Sequence, residues 1–203
     1  MRIKSLAFLA STILLTSCSG TISTAKKEYQ ITKTAALKSD WIFDSREWQF
    51  TDHTLIGVGG PMHWGIIESK KKLPKNFEIN FKVNLVKESL FEIMLNLEQE
   101  KYIRTYLYTI EKSIIIGKGV YHKDSDAYGK RGGPSLLKKP MQLENNKWYA
   151  VKIRVENNQL YFAVDNETFL EYSLEKNNLR QQGKLGFITN GEAHLTDLVI
   201  KSL

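Results

Sequence analysis

Seven side chains on two adjacent runs are of the types that recognise sugars: Glu92, Asn96 and Glu98 on the first, Tyr102, Arg104, Tyr106 and Tyr108 on the second. Aromatic rings offer flat apolar faces to the C–H side of a pyranose, while carboxylate, amide and guanidinium groups hydrogen-bond its hydroxyls. The seven alternate with Ile93, Leu95, Leu97, Ile103, Thr105 and Leu107, so an extended chain projects them to one side. His63 and Trp64 follow Gly59-Gly60-Pro61 and are candidates for a wall of the same site.

Hydrolysis of a glycosidic bond would ask more of these residues. A retaining carboxylate pair sits about 5–5.5 Å apart and an inverting pair about 6.5–9.5 Å. Glu92 and Glu98, six residues apart on one strand, are separated by roughly 20 Å. Glu88 and Glu92 approach only across a bulge, and no Glu-x-Asp-x-x-Glu pattern occurs. A second carboxylate would have to come from a loop, with Asp124 and Asp126 as the candidates, so catalytic residues are not assigned.

Metal and phosphate chemistry find little support. Tyr121-His122-Lys123-Asp124-Ser125-Asp126 offers carboxylates to Ca²⁺ but lacks calcium-loop spacing. The four histidines have no zinc spacing. Gly129-Lys130-Arg131-Gly132-Gly133 lacks the Gly-Lys-Ser/Thr ending of a phosphate loop. His194 and Asp197 have no nucleophile elbow to serve. The expectation is no cofactor, with Ca²⁺ as the alternative.

The elements that must position these groups are strands. Phe77, Ile79, Phe81, Val83 and Leu85 alternate with polar residues, as do Tyr149, Val151, Ile153 and Val155. Further strands are expected over 91–98, 102–109, 114–116, 160–164, 185–189 and 195–203, with tight turns at Asn157-Asn158 and Asp165-Asn166-Glu167. Residues 118–145, with three glycines and two prolines near their middle, read as a long irregular loop. Register matters most at 91–109, because a slip of one residue exchanges the faces. A two-residue turn would mix wet and dry residues. A three-residue loop, Gln99-Glu100-Lys101, keeps them apart by pairing 98 with 102, 96 with 104, 94 with 106 and 92 with 108. Many short strands with one wet face each make an all-β fold of two packed antiparallel sheets, a jelly-roll sandwich.

The ends of the chain bear on where it works. Arg2 and Lys4, an apolar run over 6–15, and Leu15-Thr16-Ser17-Cys18 read as a secretory signal whose core is too short to span a bilayer. Its ending resembles the bacterial lipobox, which implies cleavage after residue 17 and lipid on Cys18, the only cysteine. The expected organisation is a signal peptide over 1–17, a lipidated tether over 18–38 and one domain over 39–203. Losing Arg2 and Lys4 lowers the formal charge from +7 to +5. Export argues against nucleic acid as the partner of this basic surface. Anchoring at the envelope is expected, with Ser19 favouring the outer membrane and the domain in the periplasm or at the cell surface. A monomer is expected.

Several stretches together resemble a known superfamily. Trp148-Tyr149-Ala150-Val151-Lys152-Ile153-Arg154-Val155, the hairpin to Val164-Asp165-Asn166, Gly183-Lys184-Leu185-Gly186-Phe187 and Thr196-Asp197-Leu198-Val199-Ile200 follow the order of the concanavalin A-like, laminin-G-like jelly rolls. Trp64-Gly65-Ile66-Ile67-Glu68 and Phe77-Glu78-Ile79-Asn80-Phe81 fit the front strands. The layout, over most of residues 40–203, is most similar to exported 3-keto-disaccharide hydrolase domains. Ser89-Leu90-Phe91-Glu92 stands where that family carries an Asn-Ser-Gly turn. The resemblance implies a jelly roll with glycan chemistry on its concave face. Three functions are open: carbohydrate binding, glycoside hydrolysis of the 3-keto-disaccharide type, and a non-enzymatic protein-interaction module.

Overall fold

The computed structural model describes residues 28–30, 39–51, 53–60, 63–87, 90–121 and 132–203. Cys18, the signal and most of the tether lie outside the described residues, as do Glu88, Ser89, His122, Asp124 and Asp126.

Alternating apolar residues build two antiparallel sheets packed face to face, as the sequence pattern predicts. The back sheet runs β13 (Thr168–Ser173), β12 (Gln159–Val164), β11 (Trp148–Glu156), β6 (Phe77–Lys87), β15 (Glu192–Ser202), β4 (Thr54–Val58) and β3 (Trp48–Phe50). The short β1 (Glu28–Gln30) pairs with the far half of β15, so the chain is already docked on the domain within the stretch read as tether. The front sheet runs β10 (Ser135–Pro140), β9 (Ser113–Val120), β8 (Lys101–Tyr108), β7 (Leu90–Glu98), β14 (Lys184–Thr189), β5 (Gly65–Lys72) and β2 (Trp41–Phe43). The core lies between the sheets around Phe187, whose ring stacks on Phe91 at 5.7 Å and Trp41 at 5.9 Å and meets Phe81 edge-on at 5.8 Å.

The hairpin of β11 and β12 turns at Asn157-Asn158, both with positive φ, as a two-residue turn matching strand twist requires. β10 and β13 do not announce themselves in the sequence. β10 falls in the stretch read as irregular; it is an edge strand carrying Lys138, Lys139 and Pro140, the residues that blunt an exposed edge.

The pairing of β7 with β8 corrects the expected register. The turn has two residues, Gln99 and Glu100, with φ of 48° and 62°, and Glu98 faces Lys101. By itself that turn would mix the faces. A bulge at Asn96, φ 55°, restores the separation by taking up one residue. Beyond it Leu95 faces Ile103, Met94 faces Arg104, Glu92 faces Tyr106 and Leu90 faces Tyr108. The pairing is thus two residues away from the one expected. A shift of two preserves sidedness, so Glu92, Tyr102, Arg104 and Tyr106 do share a face. Past the bulge sidedness reverses: Leu97, expected in the sandwich core, joins the opposite cluster instead.

Candidate functional site

The far face of the front sheet is built from Trp64, Leu90, Met94, Leu97, Tyr102, Tyr106, Ile115, Tyr121 and Ile188, all buried, with Ile66 and Tyr108 at its margin. At its centre lies an ion pair. Arg104 donates from Nε to both oxygens of Glu92 at 3.0 and 2.9 Å and from Nη2 to Oε2 at 2.6 Å. The Tyr102 hydroxyl donates to Glu92 Oε1 at 2.6 Å. Arg104 Nη1 donates to the Gly133 carbonyl at 2.8 Å, and the guanidinium lies 4.4 Å from the centre of the Tyr106 ring. The Tyr106 hydroxyl meets Ser135 Oγ at 3.2 Å. Glu92 is 0 % exposed and Arg104 6 %.

This burial is tolerable because every charged atom has a counterpart. A carboxylate alone in such a place would be very costly. Burial first, then the charge of Glu92 and the bond to it, push the Tyr102 phenol well above its ordinary value of 10. Burial works against the Arg104 charge, but the adjacent Glu92 outweighs it and holds the guanidinium firmly charged. Both oxygens of Glu92 are occupied by donors and neither reaches solvent. The carboxylate therefore acts as a clamp inside the protein and has no surface to offer a sugar.

The remaining residues of the expected site separate. Asn96 sits in the bulge, 0 % exposed, and its amide donates to the Arg180 carbonyl at 2.9 Å. Glu98 leaves the face altogether, to be held by Lys72 at 2.5 Å and Arg180 at 2.9 Å. The bond from Lys72, the Lys72 charge and Arg180 together hold its carboxyl below the ordinary range. Trp64 is buried in the far-face cluster, whereas His63 is exposed and pairs with Glu47 Oε1 at 2.6 Å. The other Glu47 oxygen accepts from the Ile66 amide at 3.0 Å, tying the start of β5 to the turn before β3. Tyr108 and Tyr102, six residues apart on β8, stand roughly 20 Å from each other and cannot serve one sugar.

An open cleft adjoins the Tyr102 end of this face. Its volume is about 550 Å³, and Lys101, Tyr102, Lys118, Gly119, Val120, Asn177, Asn178, Leu179 and Arg180 line it. The ends of β8 and β9 form one wall: Lys101 and Lys118 project there on the Ile103 side, while the Tyr102 ring lies on the far face over Gly119, where a Cβ would stand 2.2 Å from it. The other wall is a turn in which Asn177 and Asn178 both take positive φ, 63° and 49°, a conformation asparagine tolerates better than other side-chain-bearing residues. Asn177 is fixed there by donating to the Tyr172 hydroxyl at 2.6 Å. A second cavity of about 340 Å³ shares Arg180 and adds Lys75, Glu98, Gln181 and Gln182. The sequence pattern reaches Tyr102 and Glu98 but misses Arg180, Asn177, Asn178, Lys101 and Lys118. The only local hint was the Asn177-Asn178 doublet, an ordinary turn signal. No cluster of His, Cys, Asp and Glu among the described residues could hold a metal.

By sequence, no protein family and no curated protein matches the chain. Solved structures do match its fold. The carbohydrate binding module CBM66 from Bacillus subtilis superposes with a TM-score of 0.65 at 11 % identity, over 80 % of this chain and 96 % of the module. A Bacillus subtilis protein with a galectin-like fold gives 0.63 at 11 % identity, over 86 % and 94 %. A glycoside hydrolase family 16 endo-glucanase from Bacteroides ovatus gives 0.54 at 12 % identity, over 82 % and 95 %. At such identities the likeness establishes the jelly-roll fold and nothing finer.

Proposed function

We propose that this protein binds carbohydrate in the cleft beside Tyr102, as a lipoprotein held at the bacterial envelope through Cys18. The cleft carries the reading. It is an open cavity of about 550 Å³ lined, among the described residues, by two amides and three cations, beside the buried clamp of Tyr102, Glu92 and Arg104. Cavities of this size hold small ligands, and fixed polar groups converging on them provide orientation. The fold shared with a carbohydrate binding module supports the reading by analogy. Compared with the wet sheet face expected from sequence, the glycan site moves to the end of that face, because the face itself is closed.

A glycan screen on the full chain in detergent tests this. Arg180→Ala and Asn178→Gly, the latter keeping the left-handed backbone, are expected to weaken binding at least about tenfold while the fold persists. Unchanged affinity in both variants would sink the proposal. The anchor is tested separately by palmitate labelling: Cys18→Ala should lose the label and release the protein into the soluble fraction. Ser19 supports the outer membrane as the destination.

A further inference from the structure

From the charges around this cleft we infer that its ligand is an acidic oligosaccharide, one whose sugar units carry carboxylates; the inference rests on the carbohydrate reading above. The two cavities that share Arg180 bring together Lys75, Lys101, Lys118 and Arg180, and among the described residues only one carboxylate, Glu98, lines either of them. Glu98 is shared between Lys72 and Arg180, one on each oxygen, so the trio keeps one net positive charge. Lys75, Lys101 and Lys118 have no ion-pair partner among the described residues. Glu100, in the turn before Lys101, is exposed and lines neither cavity.

A neutral sugar gives such a groove no reason to hold its cations close together, since like charges repel and gain nothing from hydroxyls that an amide would not supply. A ligand with a carboxylate on successive units would pair with them in turn. Lys101 and Lys118 line one cavity, Lys75 the other and Arg180 both, which suits a chain spanning the two better than a single small anion. The amides of Asn178, Gln181 and Gln182 remain to bind hydroxyls between the charges. Attraction from a cluster of one sign in a cleft also speeds capture and weakens as salt rises.

The test uses the full chain in detergent with oligogalacturonate and alginate oligosaccharides, each beside its methyl-esterified, uncharged form. At low salt the acidic form of at least one pair should bind about tenfold or more tightly than its ester, the sum expected of several partly exposed charge contacts. The gap should narrow as salt rises. Lys101→Gln and Lys118→Gln together should remove most of it, while Lys152→Gln on the back sheet leaves it intact. Equal binding of esters and acids would overturn the acidic assignment and leave the carbohydrate reading standing. Binding of neither form, with no neutral glycan bound in the screen, would overturn both. Equally tight capture of phosphatidylglycerol vesicles, with the same dependence on Lys101 and Lys118, would show a lipid-surface contact and overturn the inference.

Discussion

Glu92 and Arg104 face each other diagonally across β7 and β8, and Glu78 and Lys152 make the same diagonal across β6 and β11. In sequence the two pairs look alike: charged residues alternating with apolar ones on neighbouring strands. In the structure they differ sharply. The Arg104 and Glu92 side chains are 7 % and 0 % exposed at 2.6 Å, whereas those of Lys152 and Glu78 are 38 % and 14 % exposed at 3.3 Å. The back sheet follows the usual rule, with one face in the core and one in water. The front sheet is buried on both faces along β7 and most of β8. Alternation therefore reports which residues share a face; it does not report whether that face is wet.

The contrast can be broken most directly at Arg104. Replacing it with Met leaves Glu92 buried and without its cation, and should cost about 3–5 kcal/mol of stability. The double variant Glu92→Leu/Arg104→Met should recover most of that, because apolar residues satisfy a buried site that a lone charge cannot. Urea denaturation of the three proteins measures both quantities; a small loss in the single variant would mean that the front face is wet after all.

Tyr102→Phe should follow, at about 1.5–3 kcal/mol near neutral pH, the usual range for a bond to a charged group. Its pH signature is more telling. The folded-state phenol titrates above 10, so the unfolded chain gives up its proton first. This contribution to stability is therefore complete below about pH 10 and declines as pH rises beyond it. Denaturation between neutral and strongly alkaline pH should show a drop that is shallower in Tyr102→Phe than in the parent.

Asn96 sharpens the comparison at the level of backbone. Valine at this left-handed position should cost about 1–3 kcal/mol, and Asn96→Gly, which accepts the conformation, should cost less in the same measurement. Were valine harmless, the bulge would not be what keeps the two faces apart. The smallest effect belongs to the back sheet. Lys152→Ala should change stability by no more than about 0.2–1 kcal/mol in thermal melts, as expected of a solvated pair.

Much of the fold was legible from pattern alone. Phe77 to Leu85 and Tyr149 to Val155 are wet on one side, so their period is unmistakable, and the Asn157-Asn158 turn fixes the hairpin that follows. Edge strand β10 was not, because an edge is protected by the lysines and proline that otherwise mark a loop. The candidate site was legible only in part. Tyr102 lies at the cleft, but its other wall comes from Asn177, Asn178 and Arg180, seventy-five and more positions along the chain.

By itself, then, the sequence determined the sandwich and the sidedness of Glu92, Tyr102, Arg104 and Tyr106, and it carries the expectation of an export signal over residues 1–17. These follow from local chemistry: a period of two, turn residues, and a short apolar segment. Tertiary structure decided the rest. It replaced the expected loop by a two-residue turn and a compensating bulge at Asn96, which keeps the sidedness of Leu90 to Leu95 against β8 and reverses it at Leu97, a difference that periodicity does not reveal. It closed the far face over Glu92 and Arg104, and it opened a cleft at the end of that face where β8 and β9 meet a distant turn. Burial is a property of what packs above a residue, and on this face Arg104 and Tyr106 meet Gly133 and Ser135, each 29 positions further along the chain.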